Sequence, residues 1–132
     1  VVQSAPQLEL LKRAHLCITH AGANTVLESL AAGVPMIAIP IGFDQPGMAA
    51  RVAYHGVGEF LAEEDLTSDK LKALITTIMD DPNYKTRAAQ MRDEIVAIRG
   101  LERAVTIIER TLEEALLSKD KSESDSTELL HR

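Results

Sequence analysis

The chain has 132 residues, 45% of them hydrophobic and 26% charged, which is the size and make-up of one globular domain. Its net charge of −6 argues against the basic surface that a grip on nucleic acid requires. One cysteine, Cys17, excludes an internal disulfide framework and a Cys-based zinc cage, and no apolar run nears the roughly 18–20 residues of a membrane span. With two Phe, two Tyr and no Trp, the core must be aliphatic. The chain opens on Val1 rather than Met and shows no leader, which fits a segment of a longer cytoplasmic protein.

In chain order, Val1–Gln3 fits the end of a strand and Leu8–Ala14 a short helical turn. Leu16–Thr19 is a continuous small apolar run, the mark of a strand buried on both faces. Thr25–Ala32 is predicted helical, with Val26, Leu27, Leu30 and Ala31 on one side and Gly33 as its stop. Met36–Ile39 reads as a second buried strand, and Pro46–His55 as a helix with proline in its first turn and Gly56 past its end. Gly58–Leu61 reads as a third strand. The alternation β-α-β-α-β implies parallel strands joined by right-handed crossovers, hence a Rossmann-like α/β fold of three layers with three to four strands. Two more helices follow. One is Ser68–Met79; then Tyr84, Ala88, Met91, Ile95 and Ile98 keep helical spacing up to Gly100, after which Leu101, Val105, Ile108, Leu112 and Leu116 start a second amphipathic stripe. Residues 1–117 are therefore expected to form the domain, and the polar stretch 118–132 to be disordered.

In an open parallel sheet, ligands bind beyond the carboxyl ends of the strands. Two strand-to-helix loops reach that edge, His20-Ala21-Gly22-Ala23-Asn24-Thr25 and Ile41-Gly42-Phe43-Asp44-Gln45. Both following helices should aim free N–H groups and positive dipole ends into one crevice, and the small residues Ala21, Gly22 and Ala23 let an anion, most naturally a phosphate, come close. Each residue also has a purely structural role open to it. Thr25 and Glu28 form a capping-box pattern, Asp44 is a good helix cap, and His20 can be structural. Asp80-Asp81-Pro82 reads as a helix-end turn, Cys17 as inert core, and His15, His55 and His131 lack metal-ligand spacing.

The run from Ala5-Pro6-Gln7 through His20–Glu28 and Ala32-Gly33-Val34-Pro35-Met36 to Asp44-Gln45-Pro46 resembles the donor-sugar signature of nucleotide-sugar glycosyltransferases. These are the UDP-glycosyltransferases of the GT-B fold, and Gly47–Val52 is similar to bacterial members that act on carotenoids and macrolides. The resemblance is strong over residues 1–61 and loose over 66–117. It implies the C-terminal half of a GT-B fold and a hexosyltransferase of inverting mechanism that moves a sugar from a UDP-sugar to a hydroxyl of a lipophilic acceptor. It implies that Gln7 meets the uracil, and that His20 and the N–H groups of Gly22, Ala23 and Asn24 hold the diphosphate, with the Asn24 and Thr25 side chains. It further implies that Glu28 accepts from the ribose hydroxyls and that Asp44 and Gln45 hold the sugar. Ser4 stands where many members carry an aromatic residue for the uracil, so stacking worth on the order of 1–3 kcal/mol is missing. Ala23 stands where plant members carry Trp.

The same resemblance places the general-base histidine on an N-terminal acceptor domain that this chain lacks, so no residue here is assigned as catalytic and the chain alone is expected to be inactive. No metal or other cofactor is expected, since backbone N–H groups and a helix dipole stabilise the leaving diphosphate. The expected partners are a nucleotide sugar, the acceptor domain of the parent chain and, through an open sheet edge, further copies of the chain; nucleic acid and a membrane span are not expected. Two other roles are compatible with the sequence: a donor subunit completed by a separate acceptor-domain protein, and a nucleotide-binding module without chemistry.

Overall fold

The computed structural model describes residues 2–129, with side chains from Val2 to Leu117. The chain divides into two compact units, residues 1–96 and 97–132.

The first unit is built on three parallel strands in the order β1-β2-β3: β1 (Cys17–Thr19), β2 (Met36–Ala38) and β3 (Gly58–Phe60). Their register aligns Cys17, Met36 and Gly58, then Ile18, Ile37 and Glu59, then Thr19, Ala38 and Phe60. Successive side chains point to opposite faces, so the first and third rows share one face. That face carries the core, where Met36 and Ala38 are fully buried among Ala21, Val26, Ala49, Val52 and Val57, with Cys17, Leu30 and Met48 packed against them. The helices that cover it are α2 (Ala23–Ala31) and α3 (Gln45–Tyr54); α1 (Gln7–Leu11) packs beside α2. On the opposite face Ile37 is fully buried but Ile18 is 47% exposed. The strand β1 is therefore not buried on both faces as its apolar run predicts, because it lies at the sheet edge. Val2 and Gln3 form no strand, and Val1 lies outside the described residues.

Both crossovers end in the same way. Gly33 (φ +65) and Gly56 (φ +62) take the left-handed conformation just past α2 and α3, and the following Val34 and Val57 turn back into the core. Val34 N–H donates to Ser29 O and Gly33 N–H to Leu30 O; Val57 N–H donates to Val52 O and Gly56 N–H to Ala53 O. This is the Schellman pattern, which satisfies the orphan carbonyls of a helix end and reverses the chain into the next strand.

Beyond β3 a short 3₁₀ turn, Glu63–Asp65, leads to α4 (Ser68–Asp80), capped by Thr67 Oγ1, which accepts from Lys70 N–H at 3.3 Å. The helix α4 packs on β3 and buries Ile78. Asp81 accepts from both the backbone and the side-chain N–H of Asn83 at the start of α5 (Pro82–Ile98), so the Asp80-Asp81-Pro82 acid pair is the helix-end turn its sequence implies. The helix α5 lies against the glycine turns that precede β2 and β3. Lys85 Nζ donates to Gly33 O (2.8 Å), Arg92 lies close by, and the Arg87 stem sits over Gly56. It thus braces the amino edge of the sheet and leaves the carboxyl edge open. Tyr84 at its start donates its hydroxyl to Glu59 Oε1 (2.5 Å). That bond, with burial and the charges of Glu59 and Asp81, pushes the Tyr84 pKa up to about 12.

In the second unit, Arg99 (φ +48) breaks the helix and α6 (Gly100–Leu129) begins. The predicted stripe is present and solvent-facing, with Leu101 82% exposed and Leu112 and Leu116 also exposed. The helix continues to Leu129, through most of the stretch expected to be disordered, and 130–132 lie outside the described residues. No helix among the described residues is long and apolar enough to cross a membrane.

Candidate functional site

The carboxyl edge of the sheet carries two loops, and each holds one non-glycine residue in the left-handed region: Ala21 (φ +64) after β1 and Phe43 (φ +58) after β2. That conformation costs an L residue on the order of 1–2 kcal/mol. Ala21 is held there by packing, since it is fully buried in the core and its N–H donates to Thr19 Oγ1 (3.2 Å).

Gly22 then starts α2 from an extended conformation (φ −61, ψ 137). The first intrahelical bond runs from Val26 N–H to Gly22 O (3.0 Å), so the N–H groups of Ala23, Asn24 and Thr25 leave the helix end with no acceptor among the described residues. They carry the positive end of the helix dipole. The imidazole of His20 is folded against this end: a Cβ added to Gly22 would lie 2.7 Å from His20 Nε2. The missing side chain at Gly22 makes room for the His20 ring, a role that the sequence did not reveal.

The helix begins at Ala23, two residues earlier than predicted, and this removes the capping box. Thr25 and Glu28 lie inside the helix, and no side chain caps α2. Instead Gln7 Nε2, at the start of α1, donates to Glu28 Oε2 (2.5 Å) and reaches Thr25 Oγ1 (3.4 Å). Gln7, Thr25 and Glu28 are thereby drawn into one cluster, with Glu28 Oε1 left open. A cleft of about 610 Å³ runs from Ser4 and Gln7 past Ile18 and Thr19 to His20 and Thr25, and Cys17 lines its floor. Cys17 is half-buried and unpaired, packed on the core at one side and on the cleft at the other.

Asp44 and Gln45 stand on the neighbouring loop and do not line this cleft. Asp44 occupies the cap position of α3, but its carboxylate makes no capping bond and is exposed. Gln45 folds back: its Oε1 accepts from Ile41 N–H (2.9 Å) and Gly42 N–H (3.1 Å), which fixes the loop and leaves the amide NH₂ for a ligand.

The edge therefore offers three unpaired backbone donors, an imidazole, a steered carboxylate and a free carboxylate on adjacent loops. That set suits a phosphorylated, polyhydroxylated ligand, and the parallel three-stranded frame flanked by helices that presents it matches part of the C-terminal domain of GT-B glycosyltransferases. Residues 4–111 match the family model described as the glycosyltransferase family 28 C-terminal domain, and the chain belongs to that family. It is 36% identical over 112 residues to the zeaxanthin glucosyltransferase of Pantoea ananas, covering 85% of this chain and 26% of that protein. Among solved structures it resembles the calicheamicin glycosyltransferase (TM-score 0.79, 28% identity, 86% of this chain and 30% of the other). It also resembles the glycosyltransferase VinC in complex with dTDP (TM-score 0.74, 26% identity, 83% and 29%). The chain spans about a quarter of the length of the curated relatives it matches.

Proposed function

We propose that this chain is the donor-binding part of an inverting hexosyltransferase that carries a sugar from a UDP-sugar to a hydroxyl of a lipophilic acceptor. The observation that carries the reading is the open N-terminus of α2, with His20 laid against it and Glu28 steered by Gln7 one turn further on. The dTDP complex of VinC and the zeaxanthin-directed relative support a pyrimidine nucleoside diphosphate donor and an apolar acceptor.

In this reading the acceptor oxygen attacks the anomeric carbon as the bond to the diphosphate breaks. Negative charge then grows on the leaving phosphate, where the N–H groups of Gly22, Ala23, Asn24 and Thr25, the α2 dipole and His20 receive it. Preorganised donors at a developing anion are worth about 10²- to 10³-fold each in kcat, so no metal is required. Glu28 Oε1 takes the ribose hydroxyls, the Gln7 carbonyl faces the base, and Asp44 with the Gln45 amide holds the hexose. The base that deprotonates the acceptor comes from an N-terminal acceptor domain, and the 132-residue chain alone transfers no sugar. In the same reading the enzyme works in the cytoplasm.

Calorimetry of UDP and uridine tests this. The chain should bind UDP with a dissociation constant no tighter than roughly 0.1–1 mM, about −4 to −5.5 kcal/mol, because half of the closing cleft is absent and the contacts stay wet. His20→Ala should weaken UDP more than uridine, since only UDP carries the diphosphate, and Glu28→Gln should weaken both. Equal losses for both ligands on His20→Ala, or no loss, would remove the diphosphate assignment.

A further inference from the structure

Residues Gly42-Phe43-Asp44-Gln45 form a tight turn closed by Gln45 N–H donating to Gly42 O (3.2 Å). With Phe43 at φ +58 and Asp44 at φ −82, ψ −8, it has the φ signs of a type II′ turn, whose first central position is ordinarily glycine. Here that position is a phenylalanine. The glycine stands one residue earlier, at Gly42, where φ is not positive and where a Cβ would meet nothing within 4 Å. The Phe43 ring is 100% exposed, so no packing within the chain accounts for it. The turn is also rigid, since Gln45 Oε1 accepts from Ile41 and Gly42 N–H at once. A bulky side chain held in a disfavoured conformation, pointing into solvent on a fixed loop, is strain kept for a ligand.

Position identifies that ligand. The loop leaves the carboxyl end of β2, beside the β1 loop that presents His20 and the α2 N-terminus. Neighbouring parallel strands lie about 4.8 Å apart, so a diphosphate at α2 brings the group attached to it against this turn. The next residue, Asp44, offers an exposed carboxylate with no cap bond. A hexose presents hydroxyls and one or two flat C–H faces, and an aromatic ring next to a free carboxylate answers both. Resting on the donor-site reading above, we propose that Phe43 is the platform for the C–H face of the donor hexose and so discriminates nucleotide sugar from nucleotide.

The test compares UDP-glucose and UDP by NMR titration of the 132-residue chain. The chain has only two Phe and two Tyr, so its ring protons resolve readily. UDP-glucose should shift the Phe43 ring signals and show upfield glucose C–H protons, and UDP should do neither. Phe43→Gly should weaken UDP-glucose about 3- to 10-fold with UDP unchanged, and Phe43→Tyr should restore it. Phe43→Gly should also raise the melting midpoint by a few degrees, since glycine suits the positive φ. If UDP binds and Phe43→Gly leaves UDP-glucose untouched, or if the variant melts lower, the platform is overturned while the donor site stands. If neither ligand binds the unaltered chain, the donor-site reading fails and the platform falls with it.

Discussion

Gly22→Ala separates the donor site from the fold, because the two should respond in different ways. At φ −61, ψ 137 any residue is at ease, so no backbone strain is added. Two small effects oppose each other. Losing glycine from the unfolded chain stabilises by about 0.4–1 kcal/mol, while alanine is a poorer helix cap than glycine by a similar amount. The net change in stability should therefore stay within about 1 kcal/mol. The site fares otherwise. The new Cβ would lie 2.7 Å from His20 Nε2, and ordinary contact begins near 3.4 Å, so the ring must retreat by roughly 0.7 Å while the methyl stands over the α2 N–H groups. Loss of one hydrogen bond to a charged group is worth about 1.5–3 kcal/mol, or about 10- to 150-fold in affinity for UDP. Calorimetry with UDP beside urea melts of the same samples reads both quantities. If the effect passes through His20, Gly22→Ala adds less in a His20→Ala background than in the native one. Unchanged UDP affinity in Gly22→Ala would refute the placement of the diphosphate at this helix end.

Other outcomes follow from the frame around the site. Tyr84→Phe should cost about 1 kcal/mol at neutral pH through the lost bond to Glu59. Because the folded pKa, about 12, lies above the ordinary 10, the protonated hydroxyl contributes fully below pH 10 and its contribution is lost as pH rises to 12. Alkaline melts should show a slope in that window that Tyr84→Phe reduces. Gly58→Ala should prevent folding or cost more than about 3 kcal/mol, since the new Cβ would strike the Met36 carbonyl oxygen and lie 2.9 Å from Val52 Cγ1; a circular-dichroism melt near that of the native chain would contradict the tight β2–β3 approach. Self-association is expected at high micromolar concentration, because β1 has one unpaired edge among the described residues and α6 exposes an apolar stripe. A clean monomer in sedimentation would count against it.

The strand and helix order was legible because two β-α units repeat the same punctuation: an apolar run, a small-residue loop, an amphipathic helix and a glycine stop. Gly33 and Gly56 could be read as stops because few residues other than glycine tolerate the left-handed turn that closes each Schellman motif. The chemistry-bearing loops were legible for the same reason, since topology alone puts His20 and Asp44 on one edge. Finer placements were not. Thr25 and Glu28 matched a capping box, yet the pattern could not say that Gly22 would open the helix and that Gln7, 21 residues before Glu28, would engage its carboxylate. The Tyr84–Glu59 pair spans 25 residues and carried only one local sign, a charge inside an apolar strand. Phe43 in a glycine-like conformation carried none, because φ at that residue is set by Gln45 reaching back to Ile41 and Gly42.

The ties around the candidate site have a common direction. Gln7 acts on Glu28, Gly22 on His20, and Gln45 on the turn that presents Phe43 and Asp44. In each case one residue of the candidate site orients another, and each tie closes within the first 45 residues. On the far side, Lys85 donates to the Gly33 carbonyl, with Arg92 beside the same turn and Arg87 beside the Gly56 turn. A donor crevice preorganised in this way does not depend on residues outside the first unit for its geometry. In the proposed reading, whatever closes over it supplies exclusion of water and the acceptor, while the β-α units themselves align the leaving group. Binding by the isolated chain should therefore be weak in magnitude yet retain its order of dependence on His20, Glu28 and Phe43.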